Sequence, residues 1–262
     1  MPAVAAHYYF GQDVLKLLAG DIKELIEGHK PAFDLGLQGP DILFYYKVWK
    51  KNEVVRLGHE LHRENADTLI LKALKNIKKS ESPEARAYML GFACHFVLDS
   101  TFHGRISELA AKDREHRELE AELDRQVMEK CCGSSRQKSN RHRFLKLETR
   151  EISWMRLIYP ELSEDVIRKC FGSFIFLTRI LDSKNNAVKR LIGLAEKALH
   201  KEGIFSSMML REEHSEKYFQ PAREIISEMG GFASRGAEAV ENVYACFKEY
   251  CTLQGGFRKN FL

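Results

Sequence analysis

Three observations make an all-α fold the expectation for this sequence. Apolar residues recur three and four apart in nearly every stretch, the spacing of one helix face. No stretch alternates apolar and polar residues as a half-buried strand does. Turn residues separate the periodic runs, as at Gly28-His29-Lys30-Pro31 and Ser183-Lys184-Asn185-Asn186. The 262 residues are 44% hydrophobic, ample for a substantial core, and show no internal repeat. One helical domain over residues 1–262 is therefore expected.

Taken in order, residues 10–27 read as an amphipathic helix with Val14, Leu17, Leu18, Ile22, Leu25 and Ile26 on its apolar side. A turn follows at Gly28 to Pro31. Residues 35–41 read as a loop, because Gly and Pro punctuate them and the residue before Pro avoids the helical region. Helical pattern resumes over about 54–78, 83–110 and 113–131. The Gly/Ser and basic stretch from Gly133 to about Arg143 reads as a mobile surface loop. Ser163-Glu164-Asp165 has the composition of a helix start, and that helix should run to about Leu181. Another covers roughly 187–200, and Pro221 to Leu253 reads as one or two helices broken near Gly230-Gly231. Ligand-type residues concentrate in about 1–125, and about 126–262 reads as helices completing the core.

Composition excludes some classes. A formal charge of +4 is too mild to argue for nucleic-acid binding. No stretch is long and apolar enough to span a membrane. The first residues, Met1 to Tyr8, lack a basic region followed by an apolar core, so no signal peptide is read there and a cytoplasmic location is expected. Cys94, Cys131, Cys132, Cys170, Cys246 and Cys251 are then expected to be reduced, and they form no CxxC pair.

The chemistry lies in the run Gly91 to His103. His95, Asp99 and His103 fall at i, i+4 and i+8, along one face of a helix. The flanking Leu90, Phe92, Phe96, Val97 and Leu98 imply a buried helix, where a bare Asp is costly unless it is paired or bound to a metal. His116 and Glu120 are four apart, His59 and His62 three apart. His7 lies in the N-terminal segment and Asp41 in the Gly-Pro loop. Each piece has a plainer reading. A lone His on an apolar face is more often a hydrogen-bonded core residue, Asp41 can cap the segment that follows it, and His116 with Glu120 can be a solvated pair. His29 and His142 read as surface residues, His200 sits near a helix end, and His214 has no assignment. Together, about five histidines and three carboxylates exceed what one tetrahedral zinc needs and suit a cluster of two or three ions.

In their order along the chain these pieces resemble the zinc-dependent phospholipase C family. The matching residues are His7 with Tyr8-Tyr9-Phe10-Gly11, the loop Leu35-Gly36-Leu37-Gln38-Gly39-Pro40-Asp41, and Leu61-His62. They continue through Gly91-Phe92-Ala93-Cys94-His95, Asp99-Ser100, His103, and His116 to Glu120, covering about residues 5–125.

The resemblance implies a multi-helix bundle of the kind shared with P1-type nucleases. It implies one zinc held by His62, His95 and Asp99 with Asp41 beside it, a second by His103, His116 and Glu120, and a third by His7 with Asp99 bridging. Secreted members complete the third site with an N-terminal tryptophan that this sequence lacks, so two or three zinc ions are expected. His59 competes with His62, though Leu61-His62 fits the family pattern better. The activity implied is phosphoester hydrolysis by a metal-activated water with Asp41 as base, and Tyr8, Tyr9, Phe44, Tyr45, Tyr46 and Phe96 are candidates to meet the substrate. The partner implied is a phosphoester, in particular a phospholipid, with transient contact at a membrane surface. A nuclease using the same cluster is the alternative enzyme, weakly favoured by the basic stretch Arg136 to Arg143. A helical binding protein with a structural or degenerate zinc site is the alternative outside enzymes.

Overall fold

The computed structural model describes residues 3–132, 141–144, 152–200, 203–248, 253 and 255–261. Among them the chain is helical and forms no strand. The centre of the fold is α6 (Pro83–Leu109). Ser82 starts it, its Oγ accepting from the Ala85 N–H at 3.2 Å, and Pro83 occupies the first turn, where its missing N–H costs nothing. From Ala85 to Leu98 this helix is buried almost all round, which is why its sequence shows no polar face there.

α6 is wrapped by α3 (Lys30–Gly36), α11 (Ala233–Lys248) and α1 (Val4–Leu17). The α3 contact is a close one. A side chain on Gly36 would strike the Tyr88 carbonyl, and one on Gly91 the Phe33 carbonyl, so this crossing requires both glycines. α7 (Asp113–Cys132) packs on α1 and on α10 (Phe219–Met229). One apolar cluster draws residues from Ala3 to Phe261. A smaller one forms around Leu181, Ile192 and Met209, between α8 (Glu164–Leu181) and α9 (Asn186–Ala198).

Several boundaries differ from the sequence expectation. The helix expected over 10–27 starts at Val4 and is cut at Leu18 and Ala19, both extended, before α2 (Gly20–Gly28) restarts from Gly20 at φ +58°. The expected turn at Gly28 to Pro31 is largely helix, since Pro31 fits the first turn of α3. Beyond it the Gly-Pro stretch forms a 3-10 helix, Gly39–Tyr45. The run expected over 54–78 is two helices, α4 (Glu53–Arg63) and α5 (Ala66–Ser80). The break at Glu64 and Asn65 frees the Ala66 N–H to donate to the Lys259 carbonyl at 3.0 Å, so it anchors the C-terminal segment. The break expected near Gly230-Gly231 is a 3-10 turn, Gly230–Phe232, between α10 and α11.

The basic loop expected over 133–143 lies outside the described residues except at its end, where Arg143 is exposed as expected but Arg141 is not. Arg141 is buried. Its N–H and Nε donate to the Asp182 carboxylate at 2.6 and 2.7 Å, and Nη1 donates to Asp124 at 3.3 Å. Asp124 also accepts from the Ala5 and Ala6 N–H groups at 2.9 Å, taking two of the four N–H groups that the start of α1 leaves without helical partners. Cys94 and Cys170 are buried thiols outside any disulfide, as expected, whereas Cys246 is in a disulfide. Among the described residues no helix is long and apolar enough to cross a membrane.

Candidate metal centre

His95 points from the buried middle of α6 toward the start of the 3-10 helix. Its Nδ1 lies 3.2 Å from the Leu37 carbonyl. A carbonyl can only accept, so Nδ1 carries the hydrogen and Nε2 carries a lone pair. His62, on the last turn of α4, is held in the same way, Nδ1 donating to the Gly58 carbonyl at 2.7 Å. Both Nε2 atoms are buried and neither makes a hydrogen bond. His62 Nε2 does approach Asp41 Oδ1 to 2.9 Å, but off the hydrogen-bond direction, as two lone-pair ligands aimed at a common point would. Pinning one ring nitrogen to a carbonyl while presenting the other is how metal-binding imidazoles are oriented.

Two triads result, sharing His95. Asp41, His62 and His95 form one, and His7, His95 and Asp99 the other; the ligand atoms of each lie within 4.8 Å of one another. His7 Nε2 lies 3.1 Å from one Asp99 oxygen and His95 Nε2 3.5 Å from the other, so this carboxylate stands between the two rings. The rings of His7 and His95 stack with centroids 4.4 Å apart.

The backbone around His95 is built to admit it. Gly39 has φ +51°, and a Cβ there would collide with the His95 ring. The Tyr88 hydroxyl, about two helical turns before His95, donates to the Gly39 carbonyl at 3.0 Å and contacts the Tyr159 hydroxyl at 2.7 Å. From the far side, Phe261 packs its ring 5.1 Å from His62 and 5.8 Å from His95, and its N–H donates to the His62 carbonyl at 3.2 Å.

The remaining expected ligands lie one step outward. His116 Nε2 is 3.2 Å from Glu120 Oε1, and the His103 and His116 rings are 5.0 Å apart. His7, Asp99, His103 and Glu120 line one cavity of about 20 Å³, room for little more than a water or an ion. His59 is not brought in. It is exposed and lies against Phe44, with centroids 4.7 Å apart. His214 sits elsewhere, paired with Glu122 at 2.7 Å. Of the aromatics considered for substrate, Tyr45 and Phe96 are core residues, Tyr8 stacks on Phe144 at 4.3 Å, and Phe44 stands 5.1 Å from His62.

Burial pushes the His95 imidazole down to about 3, so it stays neutral and able to ligate at neutral pH. Burial also lowers His62, but contact with Asp41 outweighs it and leaves that ring raised. For Asp41, burial alone would raise the carboxyl, yet neighbouring positive charge and the His62 contact hold it well below the usual carboxylate range. Asp99 behaves the same way, with His95 and His7 overcoming its desolvation. Ionised carboxylates gathered in a buried site are costly without a cation, and this donor set of nitrogen and carboxylate oxygen suits zinc. Glu120 adds a third buried carboxylate beside His116.

Sequence reasoning missed Gly39, Tyr88, Asp124 and Phe261 as supports of this centre. Gly39 carried a signal, since a Gly-Pro pair in front of an Asp ligand invites a positive φ. The other three act through contacts between distant parts of the chain.

A family model described as zinc dependent phospholipase C matches residues 6–170, more than half of the chain, and spans every residue of both triads. No curated protein and no solved structure gives a significant match.

Proposed function

This chain belongs to the zinc-dependent phospholipase C family, and from that premise we propose that it hydrolyses phosphoesters of the phospholipid type at the His7, Asp41, His62, His95 and Asp99 centre. The supporting observation is the pair of triads sharing His95, with buried imidazole lone pairs facing ionised carboxylates. His62, His95 and Asp99 would hold one ion with Asp41 beside it, His103, His116 and Glu120 a second, and His7 with Asp99 a third. Asp99, whose two oxygens face different rings, would be the bridging carboxylate.

Zinc bound there would polarise the phosphoryl oxygens, offset their developing charge and acidify a water. The protein's own contribution is orientation and proton transfer. His62 and His95 are fixed by the Gly58 and Leu37 carbonyls before any ligand arrives, which removes reorganisation from the reaction. Asp41 is held ionised beside His62, so its carboxylate would be placed to accept a proton from a water at this centre.

The test is a substrate panel on zinc-loaded protein: a phosphocholine ester, a water-soluble phosphodiester and single-stranded DNA. Expected is hydrolysis of the phosphocholine ester, lost with chelator and in Asp41→Asn. Cleavage of DNA alone would replace this reading with the nuclease one, and stoichiometric zinc with no turnover of any substrate would leave a structural site.

A further inference from the structure

α9 is apolar on two sides, and only one of them is used by the fold. Val188 and Ile192 turn inward and join Leu181 and Met209 in the smaller apolar cluster. On the other side Ala187, Leu191, Leu194 and Ala198 are exposed, the two leucines at 64% and 63%. A lone leucine on a surface needs no explanation, but these four fall on one stripe of the helix. They are spaced four, three and four residues apart. That is the 3.5-residue period with which one helix offers a seam to another. The alanines at either end let a second helix approach closely around the two leucines. The stripe lies past residue 170, outside the family match.

The charges around the seam have one sign. From Phe176 to His200 the only acidic residues are Asp182 and Glu196, and both are buried. Asp182 receives Arg141, and Glu196 accepts from the Ser206 N–H at 2.8 Å. The charged side chains left exposed on this stretch are Arg179, Lys184, Arg190 and Lys197. Arg190 and Lys197 are seven residues apart, one heptad, and so line the same edge of the seam. Neither makes an ion pair among the described residues. In a coiled coil, charges at such flanking positions select the partner.

We propose that α9 is a docking helix that binds an acidic amphipathic helix of a partner protein. Leucines of that helix pack between Ala187, Leu191, Leu194 and Ala198, and its carboxylates meet Arg190 and Lys197. A second copy of this chain would bring the same positive charges to the contact. A bilayer-binding helix buries a broad face of bulky and aromatic side chains, whereas half of this seam is alanine. The inference does not rest on the hydrolase reading, since neither zinc nor a phosphoester takes part in it.

The test is a nuclear magnetic resonance titration of the full chain with a helical peptide that carries Leu at the two core positions of each heptad and Glu at the flanking ones. Expected are saturable shifts at the Leu191, Leu194 and Lys197 amides, absent with the peptide that has Lys in place of Glu. Leu191→Ser combined with Leu194→Ser should weaken binding by at least about tenfold, as loss of the central apolar anchors of a contact does. Arg190→Glu combined with Lys197→Glu should reverse the preference between the two peptides, and it carries the test alone should the serine pair lose helical content. Equal binding of the two peptides, or no saturable shift with either, would overturn the proposal. So would vesicles of anionic phospholipid, or a second copy of the chain, occupying the seam in place of the acidic peptide. Docking that holds in a protein without phosphoester turnover would leave this proposal standing and remove the hydrolase reading alone.

Discussion

His95 donates its Nδ1 hydrogen to the Leu37 carbonyl, 3.2 Å away, and thereby presents Nε2 to Asp99. The bond exists because α3 and α6 come together at two glycines, Gly36 and Gly91, which bring the end of α3 against the middle of α6. The glycine crossing of α3 and α6 is thus also what orients the shared ligand of both triads.

Gly39→Ala tests how tightly that orientation is set. The backbone there is left-handed, which costs an L side chain roughly 1–2 kcal/mol, and the new methyl meets the His95 ring. Expected are a loss of stability of about that size or more in urea denaturation and a fall in zinc affinity of about 10–100-fold in a competition titration, the usual cost of disturbing a ligand's support. Unchanged zinc affinity would mean that His95 tolerates displacement.

His62→Ala and His59→Ala separate two histidines three residues apart. The structure puts His62 in a triad and leaves His59 exposed against Phe44. Zinc content by mass spectrometry should drop in His62→Ala and stay at the wild-type level in His59→Ala. The reverse would reassign the ligand.

Asp41→Asn keeps the shape of the side chain and removes its ability to take a proton. Turnover of the phosphocholine ester should fall by about 10²–10⁴-fold, the range for loss of a general base, with zinc content mostly intact. Activity equal to wild type removes Asp41 as the base.

Asp182→Ala addresses the frame behind the centre. It strips Arg141 of the carboxylate that receives both its N–H and its Nε, leaving a buried guanidinium with Asp124 as its other carboxylate. Breaking one partner from a buried ionic group costs about 3–5 kcal/mol, so a large drop in the urea midpoint is expected. A change near zero would show that solvent reaches Arg141.

What the sequence made legible follows from the range of the forces involved. α6 and α7 were readable nearly to their ends because their helical spacing is local. His95 with Asp99, and His116 with Glu120, were readable as pairs because a helix fixes what lies four residues away. The cuts at Ala19 and Asn65 were not, since the apolar period runs straight through both and the second is stabilised by Lys259, far along the chain. Tyr88 on Gly39, Asp124 on the start of α1 and Phe261 on His62 were invisible for the same reason. Arg141 misled most, because a basic stretch beside Gly and Ser reads as solvated until two buried aspartates are seen to receive it.

The central claim is a multinuclear zinc centre organised around His95, and the most direct measurement is metal content by mass spectrometry on protein purified without chelator or added zinc. Two or three zinc equivalents per chain, falling in His95→Ala, is the expected result. No zinc, even after reconstitution, would contradict it.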